Sequence, residues 1–460
     1  MKEVILLVLF SFILFLNITI GTLFSEQPNN IVYEVVDVTS GAYCESEEDA
    51  LFSICEPFVI SRSYDSRSGK WCFFPHCLLV KCEKNNNLVE VAKNGAKRTY
   101  EKVAVSSIGP LGSQFTSQSL GKNESWYRLT SEETVQGNHI DYLYDKENRL
   151  SALQLKSKKH RLLMTISVIY NNEAVHMAVG SVKMVSYYFQ KGQLIEVQRK
   201  QKPNIRYTYN GSHIVRKEFA EGCGLEVIYN EQGKVKSLIT ALSKTPFVSF
   251  SYDQGATCIT NAFQNQTIYH YEKELITKIE KYQGKELYRT DSYVWKDNKL
   301  IGSTSSDGQE NTFHAVRYQH DKEGRVSAVQ IMTCPMVPNV EPIPLNDKGL
   351  PQELHDIPTQ FEYSDDGFGN VTYEQISENG CITYEYKKGT KLPVRKLVWM
   401  DGSIVGRIFY SYDEETGQLI QQTRDDGKYK LADEYTGVTT GKSIRIKPRK
   451  NQPNECDSEV

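Results

Sequence analysis

The stretch "HIDYLYDKENRLSAL", residues 139–153, alternates apolar and polar side chains, passes through a charged turn and then alternates again. Alternation with a period of two is typical of a strand with one buried face, and Asn148 suits the positive φ that a tight turn needs. The stretch therefore predicts a β-hairpin. Because a lone hairpin is only marginally stable in water, its apolar face needs neighbouring strands.

Similar stretches recur through most of the chain, for example "IRYTYNGSHIVRK" at 205–217 and "FYSYDEETGQLIQQ" at 409–422. Each places an aromatic residue close before the turn. These repeat anchors are Tyr144, Tyr170, Tyr188, Tyr209, Tyr229, Tyr252, Tyr271, Trp295, Tyr318, Tyr363, Tyr386 and Tyr412. Ten of the eleven steps between them are 18 to 26 residues long, which indicates a repeat architecture.

The predicted fold is all-β: a ribbon of about twelve hairpins over residues 131–430, each pairing edge to edge with the next and together forming part of a curved shell. The one long step, 45 residues from Tyr318 to Tyr363, contains several prolines that cannot donate to a strand ladder, so we expect a loop insertion at 334–358. A β-propeller is the alternative, since two such hairpins equal one four-stranded blade.

The aromatic row has two interpretations. Aromatics on a β surface can form a sugar-binding platform, but aromatics facing one another on neighbouring strands more often pack against each other. Because the aromatic holds the same place in every unit, we expect cross-strand packing.

The N-terminus carries an uncharged apolar run from Val4 to Phe24. A run of this length suits a signal peptide, our first choice, or a single membrane anchor, so residues 1–25 are predicted to export the rest of the chain. We therefore expect a secreted or cell-envelope protein, which would contact a membrane only through residues 4–24 if these are not cleaved.

Ten cysteines are present, and half of them crowd into a short segment. In an exported chain this cluster predicts one or two disulfides, with the pairing left open. The alternative is a zinc site that would include His76, but the cluster lacks the Cys-x-x-Cys spacing of structural zinc sites, so we assign no metal. The clustered cysteines are Cys44, Cys55, Cys72, Cys77 and Cys82.

Composition and motifs give little support for catalysis. The 54 Lys and Arg residues nearly balance 57 Asp and Glu residues, which leaves no basic footprint for nucleic acid. The nine histidines are scattered singly, and neither a metalloprotease motif nor a nucleophile elbow nor a phosphate-binding loop occurs. We therefore expect a protein that is not an enzyme and binds no cofactor.

The turn motif resembles the YD repeat of the RHS and teneurin-like proteins. The best copies are "YLYDKENRL" at 142–150, "YQHDKEGRV" at 318–326 and "YSYDEETGQL" at 410–419. Residues 26–130, which contain the cysteine cluster, resemble the β module that precedes such repeats in bacterial RHS proteins. The matching residues are Gly41, Asp49, Arg62, Tyr64, Ser66, Gly69 and Trp71. Family versions usually read Gly-x-Gly-Trp, whereas this sequence reads Gly-Lys-Trp.

The resemblance implies a β-ribbon that winds into a hollow shell, which in many members encloses a toxic or signalling domain. The self-cleaving core segment of the family is not recognisable here, and residues 431–460 read as a final strand and a polar tail. The resemblance thus predicts a scaffold that is the N-terminal part of a shell, with a second RHS-core or toxin-bearing chain as partner. The alternatives are an adhesin that binds surface glycan and a β-propeller glycosidase or lyase.

Overall fold

The structure is a computed structural model. It describes residues 27–54, 56–74, 78–80, 87–91, 96–103, 126–219, 222–243, 245–334, 341–352, 359–425 and 443–445. In these ranges the regular elements are β-strands and no α-helix occurs, so the all-β prediction is confirmed. Within the same ranges, no helix is long and apolar enough to span a membrane. The predicted export segment, residues 1–25, lies outside the described residues.

The strands are numbered in chain order. The first group is β1 Ile31–Val32, β2 Val36–Asp37, β3 Cys44–Ser53, β4 Pro57–Asp65, β5 Lys70–Phe74, β6 Leu78–Val80, β7 Asn87–Val91, β8 Lys97–Val103, β9 Trp126–Glu133, β10 His139–Tyr144, β11 Leu150–Lys156 and β12 Leu162–Tyr170. The second is β13 Ala174–Val179, β14 Val182–Gln190, β15 Gln193–Arg199, β16 Ile205–Asn210, β17 His213–Phe219, β18 Gly224–Tyr229, β19 Val235–Thr240, β20 Val248–Asp253, β21 Ala256–Asn261, β22 Gln266–Glu272 and β23 Leu275–Gln283. The third is β24 Glu286–Lys296, β25 Lys299–Asp307, β26 Thr312–His320, β27 Val326–Thr333, β28 Thr359–Tyr363, β29 Val371–Ser377, β30 Gly380–Tyr386, β31 Pro393–Met400, β32 Ser403–Tyr412, β33 Leu419–Asp425 and β34 Ser443–Arg445.

The described residues form two compact units. The first unit draws on residues 1–41 and 250–360, and the second on residues 42–249 and 361–460. The second unit thus contains residues 42–130 of the predicted N-terminal module together with repeat strands.

In the second unit, β9 to β20 pair one after another in antiparallel register, and β28 to β34 do the same. A separate three-stranded sheet, β3-β4-β5, belongs to this unit too. A propeller requires the pairing to break after every four strands. Twelve strands in unbroken succession, β9 to β20, do not fit the propeller alternative.

In the first unit, β21 to β28 pair consecutively, and β1 and β2 form a small hairpin. The predicted loop insertion falls here, and its residues 341–352 are described. Ile343 of this loop packs with Ala315 and Met332, and its N–H bonds to the Thr312 carbonyl at 2.9 Å. The described part of the insertion is therefore docked on the strands.

Most of the repeat hairpins have the same irregularity, a shift of register immediately before the anchor position, whereas the β12–β13 hairpin of Tyr170 has none. It falls between Leu143 and Tyr144 in one hairpin and between Ile228 and Tyr229 in another. Such a bulge interrupts the regular ladder and increases the local twist. Tyr144 therefore does not follow the regular alternation of buried and exposed side chains along the strand. Tyr142, two residues earlier, is buried.

An Asp or Asn side chain shapes the turn of many units. Asp145 Oδ1 accepts the backbone N–H groups of Glu147 and Arg149, each at 2.9 Å, and Asn148 has φ 57°. This is the side-chain mimic of a backbone turn that Asp and Asn favour, closed by one residue in the left-handed region. The same pair of bonds forms at Asn230, Asn261, Asp307 and Asn346.

We expect Asp145→Ala to lower the free energy of unfolding by about 1–2 kcal/mol, because two backbone donors lose their acceptor. Asp145→Asn should remain close to the unchanged protein, because Asn230 makes the same bonds with an amide oxygen. Urea unfolding followed by circular dichroism compares the two variants. Equal losses for both would show that the ion pair with Arg149 matters more than the turn bonds.

Candidate anchoring site

Each of several repeat aromatics forms a hydrogen bond to the repeat hairpin that precedes it in the chain. A bond of this kind is called an inter-unit bond, where a unit is one repeat hairpin. Tyr170 donates its hydroxyl proton to the Leu150 carbonyl at 2.9 Å, and Leu150 is the residue that pairs with Tyr144, the preceding anchor. The aromatic of one hairpin is thus tied to the backbone opposite the aromatic of the hairpin before it. The bond falls where the register shift disturbs the ladder, so it satisfies backbone that has lost regular pairing.

This inter-unit bond follows one rule along the chain: the acceptor is the residue that pairs with the previous anchor aromatic. Its further examples are Tyr209 to Leu194 at 2.7 Å, Tyr229 to Ile214 at 2.9 Å, Trp295 to Ile276 at 2.7 Å, Tyr386 to Val371 at 2.9 Å and Tyr412 to Pro393 at 2.7 Å. Trp295 uses its indole N–H in place of a hydroxyl, which explains why Trp can stand in for Tyr.

The residue just before the acceptor often covers the same aromatic ring. The guanidinium of Arg149 lies 4.7 Å from the centre of the Tyr170 ring, and that of Arg128 lies 4.4 Å from the Tyr144 ring. Elsewhere His213 meets Tyr229 edge-on at 4.8 Å. These contacts add to the hydrogen bond, so Tyr144, Tyr170 and Tyr229 are each fixed by two contacts with the preceding hairpin.

Two predicted anchors are displaced from the rule. The register shift lies before Phe189 in β14 and before His320 in β26, so these residues hold the place that the sequence analysis gave to Tyr188 and Tyr318. Tyr188 instead donates to the exposed Gln198 side chain at 3.0 Å. The sequence pattern predicts the tyrosine as the anchor, because the alternation of apolar and polar residues does not reveal the position of a bulge.

Tyr271 and Tyr363 directly follow a register shift, and Tyr252 is the penultimate residue of β20. One further member was missed. Tyr144 donates to the Leu129 carbonyl at 2.6 Å, and Leu129 pairs with Tyr100 across a register shift between Thr99 and Tyr100. The inter-unit rule therefore extends back to β8, within the segment that was assigned to the N-terminal module.

The anchors Tyr229 and Tyr386 have raised pKa values. Burial, together with the nearby Tyr410 hydroxyl and Glu374 carboxylate, raises the pKa of Tyr386 to about 12. Burial likewise raises the pKa of Tyr229. A hydroxyl that keeps its proton at physiological pH remains a hydrogen-bond donor, so the inter-unit bonds are insensitive to pH near neutrality.

A second group of predicted residues forms a buried ionic cluster in the second unit. Arg62, on the middle strand β4, has 1% of its surface exposed. Its Nε donates to Asp49 Oδ2 at 2.9 Å, and its Nη1 lies 3.4 Å from Glu45 Oε1 and donates to the Tyr207 hydroxyl at 2.6 Å. Tyr187 donates to the same Asp49 oxygen at 3.0 Å. Tyr187 and Tyr207 belong to repeat strands β14 and β16, so the cluster joins the N-terminal sheet to the ribbon.

Repeat strands also supply cations to this cluster. Lys217 Nζ lies 2.6 Å from Glu47 Oε1 and 3.2 Å from Glu45 Oε1, and Arg199 Nη1 lies 3.1 Å from Glu47 Oε2. Three carboxylates of β3 thus face Arg62, Arg199 and Lys217, and the charges balance. Taking such charges out of water costs several kcal/mol per ion unless each is paired, which this arrangement provides.

The other predicted residues of the N-terminal module contact the same hairpin, β16–β17. Tyr64 donates to the Ser212 carbonyl at 2.6 Å, and Trp71 donates to the Tyr209 hydroxyl at 2.9 Å. Gly69 has φ 65°, and a Cβ there would lie 2.6 Å from the Ser212 Cβ. Glycine is therefore required both by the turn and by the close approach of the ribbon.

Gly41 and Ser66 position the start of β3. Gly41 is buried with φ 74°, and its N–H bonds to the Asp37 carbonyl at 2.7 Å. The Ser66 hydroxyl accepts the Tyr43 N–H at 2.9 Å, while the Tyr43 hydroxyl donates to Glu45 at 2.8 Å. These bonds orient the acidic strand toward the cluster.

The cluster shifts the pKa values of its members in opposite directions. Burial raises the pKa of Asp49, although Arg62 and Tyr187 oppose this. Burial also acts on Glu47, but its bond to Lys217 outweighs it and the pKa is lowered. Burial and the adjacent carboxylate raise the pKa of Tyr207 and of Tyr187 well above the ordinary value, so both remain hydrogen-bond donors.

The arrangement supports docking more readily than catalysis or metal binding. In the described part of the chain, no group of His, Cys, Asp and Glu side chains is placed to hold a metal ion. The cluster's carboxylates already face protein cations. Its chemistry is therefore a set of charge-assisted hydrogen bonds that fixes one sheet against another.

The predicted disulfides stay a prediction. Cys44 pairs with Asp65 and Cys72 with Ser63 on opposite sides of β4, so two strand spacings of about 4.8 Å separate them, which is too far for a disulfide. Cys55, Cys77 and Cys82 lie outside the described residues, as does His76 of the zinc alternative.

Comparison with known proteins finds no matching family model and no matching curated protein. Solved structures do match. A chain in the crystal structure of TcdB2-TccC3-Cdc42 has 9% identity over 80% of this chain and 21% of its own, with a TM-score of 0.35. A chain of the Photorhabdus luminescens Tc holotoxin pore has 9% identity over 84% and 22%, with a TM-score of 0.25. A porin-like protein from Bacteroides uniformis has 8% identity over 61% and 92%, with a TM-score of 0.17.

This chain spans about a fifth of the length of the toxin-complex chains that it matches. At these TM-scores the likenesses identify no family.

We expect Tyr229→Phe to lower the free energy of unfolding by about 1 kcal/mol, because the Ile214 carbonyl loses its donor while the ring stays in place. Tyr188→Phe is the matched control and should be near neutral, since its hydroxyl bonds only to an exposed side chain. Urea unfolding measures both. Equal effects would contradict a special role for the bulge position.

Arg62→Met should cost about 3–5 kcal/mol, because the Glu45 and Asp49 carboxylates would remain buried without their guanidinium. Arg67→Met serves as control, since Arg67 pairs with Asp65 on the surface and such pairs contribute about 0–1 kcal/mol. Thermal unfolding and limited proteolysis between residues 42 and 74 report the result. A change no larger than that of Arg67→Met would show that the cluster does not hold the N-terminal sheet.

Proposed function

We propose that this protein is a non-enzymatic scaffold, a β-ribbon whose units are fastened to one another and whose beginning is fixed by an N-terminal sheet. The observation that carries the proposal is the inter-unit bond, in which the anchor aromatic of one hairpin donates to the backbone of the hairpin before it, as in seven described hairpins. Repeats that contact mainly their neighbours gain stability together, which suits a protein that must maintain an extended surface.

The use of the polar side chains supports this function. An active site needs convergent polar groups that remain available to a substrate. Here the buried carboxylates of β3 are bonded to Arg62, Arg199 and Lys217, and the anchor hydroxyls are bonded to backbone carbonyls. The buried carboxylates and the anchor hydroxyls thus serve to join strands to one another.

We further propose that the ribbon is the front part of an RHS-type shell and continues into a second chain. The rule of the inter-unit bond assigns the next acceptor to Leu419, which pairs with Tyr412. Within the described ranges, no aromatic side chain donates to the Leu419 carbonyl. A further aromatic-bearing unit, supplied by a partner chain with the same repeat, fits this position.

The adhesin alternative does not use the repeat aromatics. A sugar-binding platform needs exposed rings with free polar edges, whereas the polar atoms of Tyr209, Tyr229 and Trp295 bond to the backbone. These positions support packing, as the sequence pattern predicts.

The test mixes the full-length protein with the product of the neighbouring reading frame and measures the mass of the mixture by light scattering. We expect a complex of defined stoichiometry in which the backbone around Leu419 gains protection from hydrogen exchange because the partner's aromatic-bearing unit covers it. A mixture that stays unassociated, or protection that falls only elsewhere, would contradict the partner-completed shell.

A further inference from the structure

A cavity in the first unit differs in chemistry from the anchoring contacts. It has a volume of about 220 Å³ and lies where the β21–β22 turn meets the β23–β24 turn. The two turns are joined by a bond from the Gly284 N–H to Asn265 Oδ1 at 3.1 Å. This bond fixes the two turns beside the cavity against each other.

Three tyrosines line the cavity. Tyr288 is 51% exposed and makes no hydrogen bond to another described residue, and Tyr33 is 46% exposed. Tyr282, on β23, provides a third ring. Phe263, at the tip of the adjoining turn, is 85% exposed. Exposed rings at one rim offer flat apolar faces with polar edges.

Carboxamide side chains line the same cavity. Gln266 and Gln283 both contribute, and neither side chain bonds to another described residue. Gln266 lies directly opposite Tyr282 in the strand register, so an amide and a ring stand side by side. Each carboxamide offers two donors and an acceptor, which matches ligand groups that both donate and accept.

The described lining contains no charged side chain. We infer that this cavity binds a neutral saccharide, with the pyranose ring against Tyr288 and its hydroxyl groups bonded to Gln266 and Gln283. Hydroxyls need donors and acceptors together, and the carbon face of a sugar ring needs an aromatic surface. The cavity is smaller than the 300–1,000 Å³ typical of drug-sized ligands, so it fits one sugar unit at a time.

An anionic ligand or a charged peptide would leave its charge without a partner in this lining, which is costly once water is excluded. The inference does not depend on the scaffold proposal, since it uses neither the anchor aromatics nor the ionic cluster. A scaffold with this site would display a saccharide-binding surface on the ribbon.

The test titrates the full-length protein with cellobiose, lactose and N,N′-diacetylchitobiose, monitored by saturation-transfer NMR. We expect saturable binding of at least one of them with a Kd on the order of 1 mM. Tyr288→Ala should weaken it about tenfold or more, Gln283→Ala several-fold, and Tyr288→Phe only slightly because the ring is kept.

Two variants of the same unit serve as controls. Ile331→Ala removes an apolar side chain that is 56% exposed, and Gln309→Ala removes an exposed amide, both outside the cavity. Neither should change the Kd. Absence of saturable binding for all three sugars would overturn the inference. So would binding that survives Tyr288→Ala and Gln283→Ala unchanged.

Discussion

The hydrogen bond from an anchor aromatic to a carbonyl of the preceding hairpin is the contact on which this architecture depends. A hairpin buries only one face and is marginal alone. A register shift at most anchor positions interrupts the ladder, and the aromatic of the following hairpin donates a hydrogen bond to the backbone there. Tyr229 and Ile214 illustrate both halves of this exchange. One device therefore relieves a local backbone defect and connects the units in sequence.

The N-terminal sheet is attached by a different kind of contact. Apolar faces can slide against each other, whereas the bonds that cross to the ribbon, from Arg62 to Tyr207, from Tyr187 to Asp49 and from Lys217 to Glu47, exist in one relative placement only. Buried ion pairs are weak evidence for net stability, because desolvation opposes the attraction. We take specificity of placement to be their contribution here, and the close approach at Gly69 agrees with this interpretation.

Much of the ribbon can be predicted from the sequence, because alternation and turn residues act over a few positions. Tyr142 and Tyr144 show the limit: both fit the pattern, yet one is buried and the other is an anchor, since the bulge between them leaves no trace in the alternation. The partners of Arg62 were equally hidden, because Tyr207 is 145 residues away. The cavity beside Tyr288 is lined by residues from separate turns that come together only in the folded chain. No short stretch of sequence therefore predicts it.

Hydrogen exchange monitored by mass spectrometry tests the coupling of units most directly. In Tyr229→Leu the aromatic of β18 loses both its hydroxyl and its ring. If the inter-unit bond couples neighbours, amides of β16 and β17, where the acceptor Ile214 lies, should lose protection together with those of β18 and β19. Loss confined to β18 and β19, with β16 and β17 unchanged, would show that the hairpins are stable independently and would contradict the coupling.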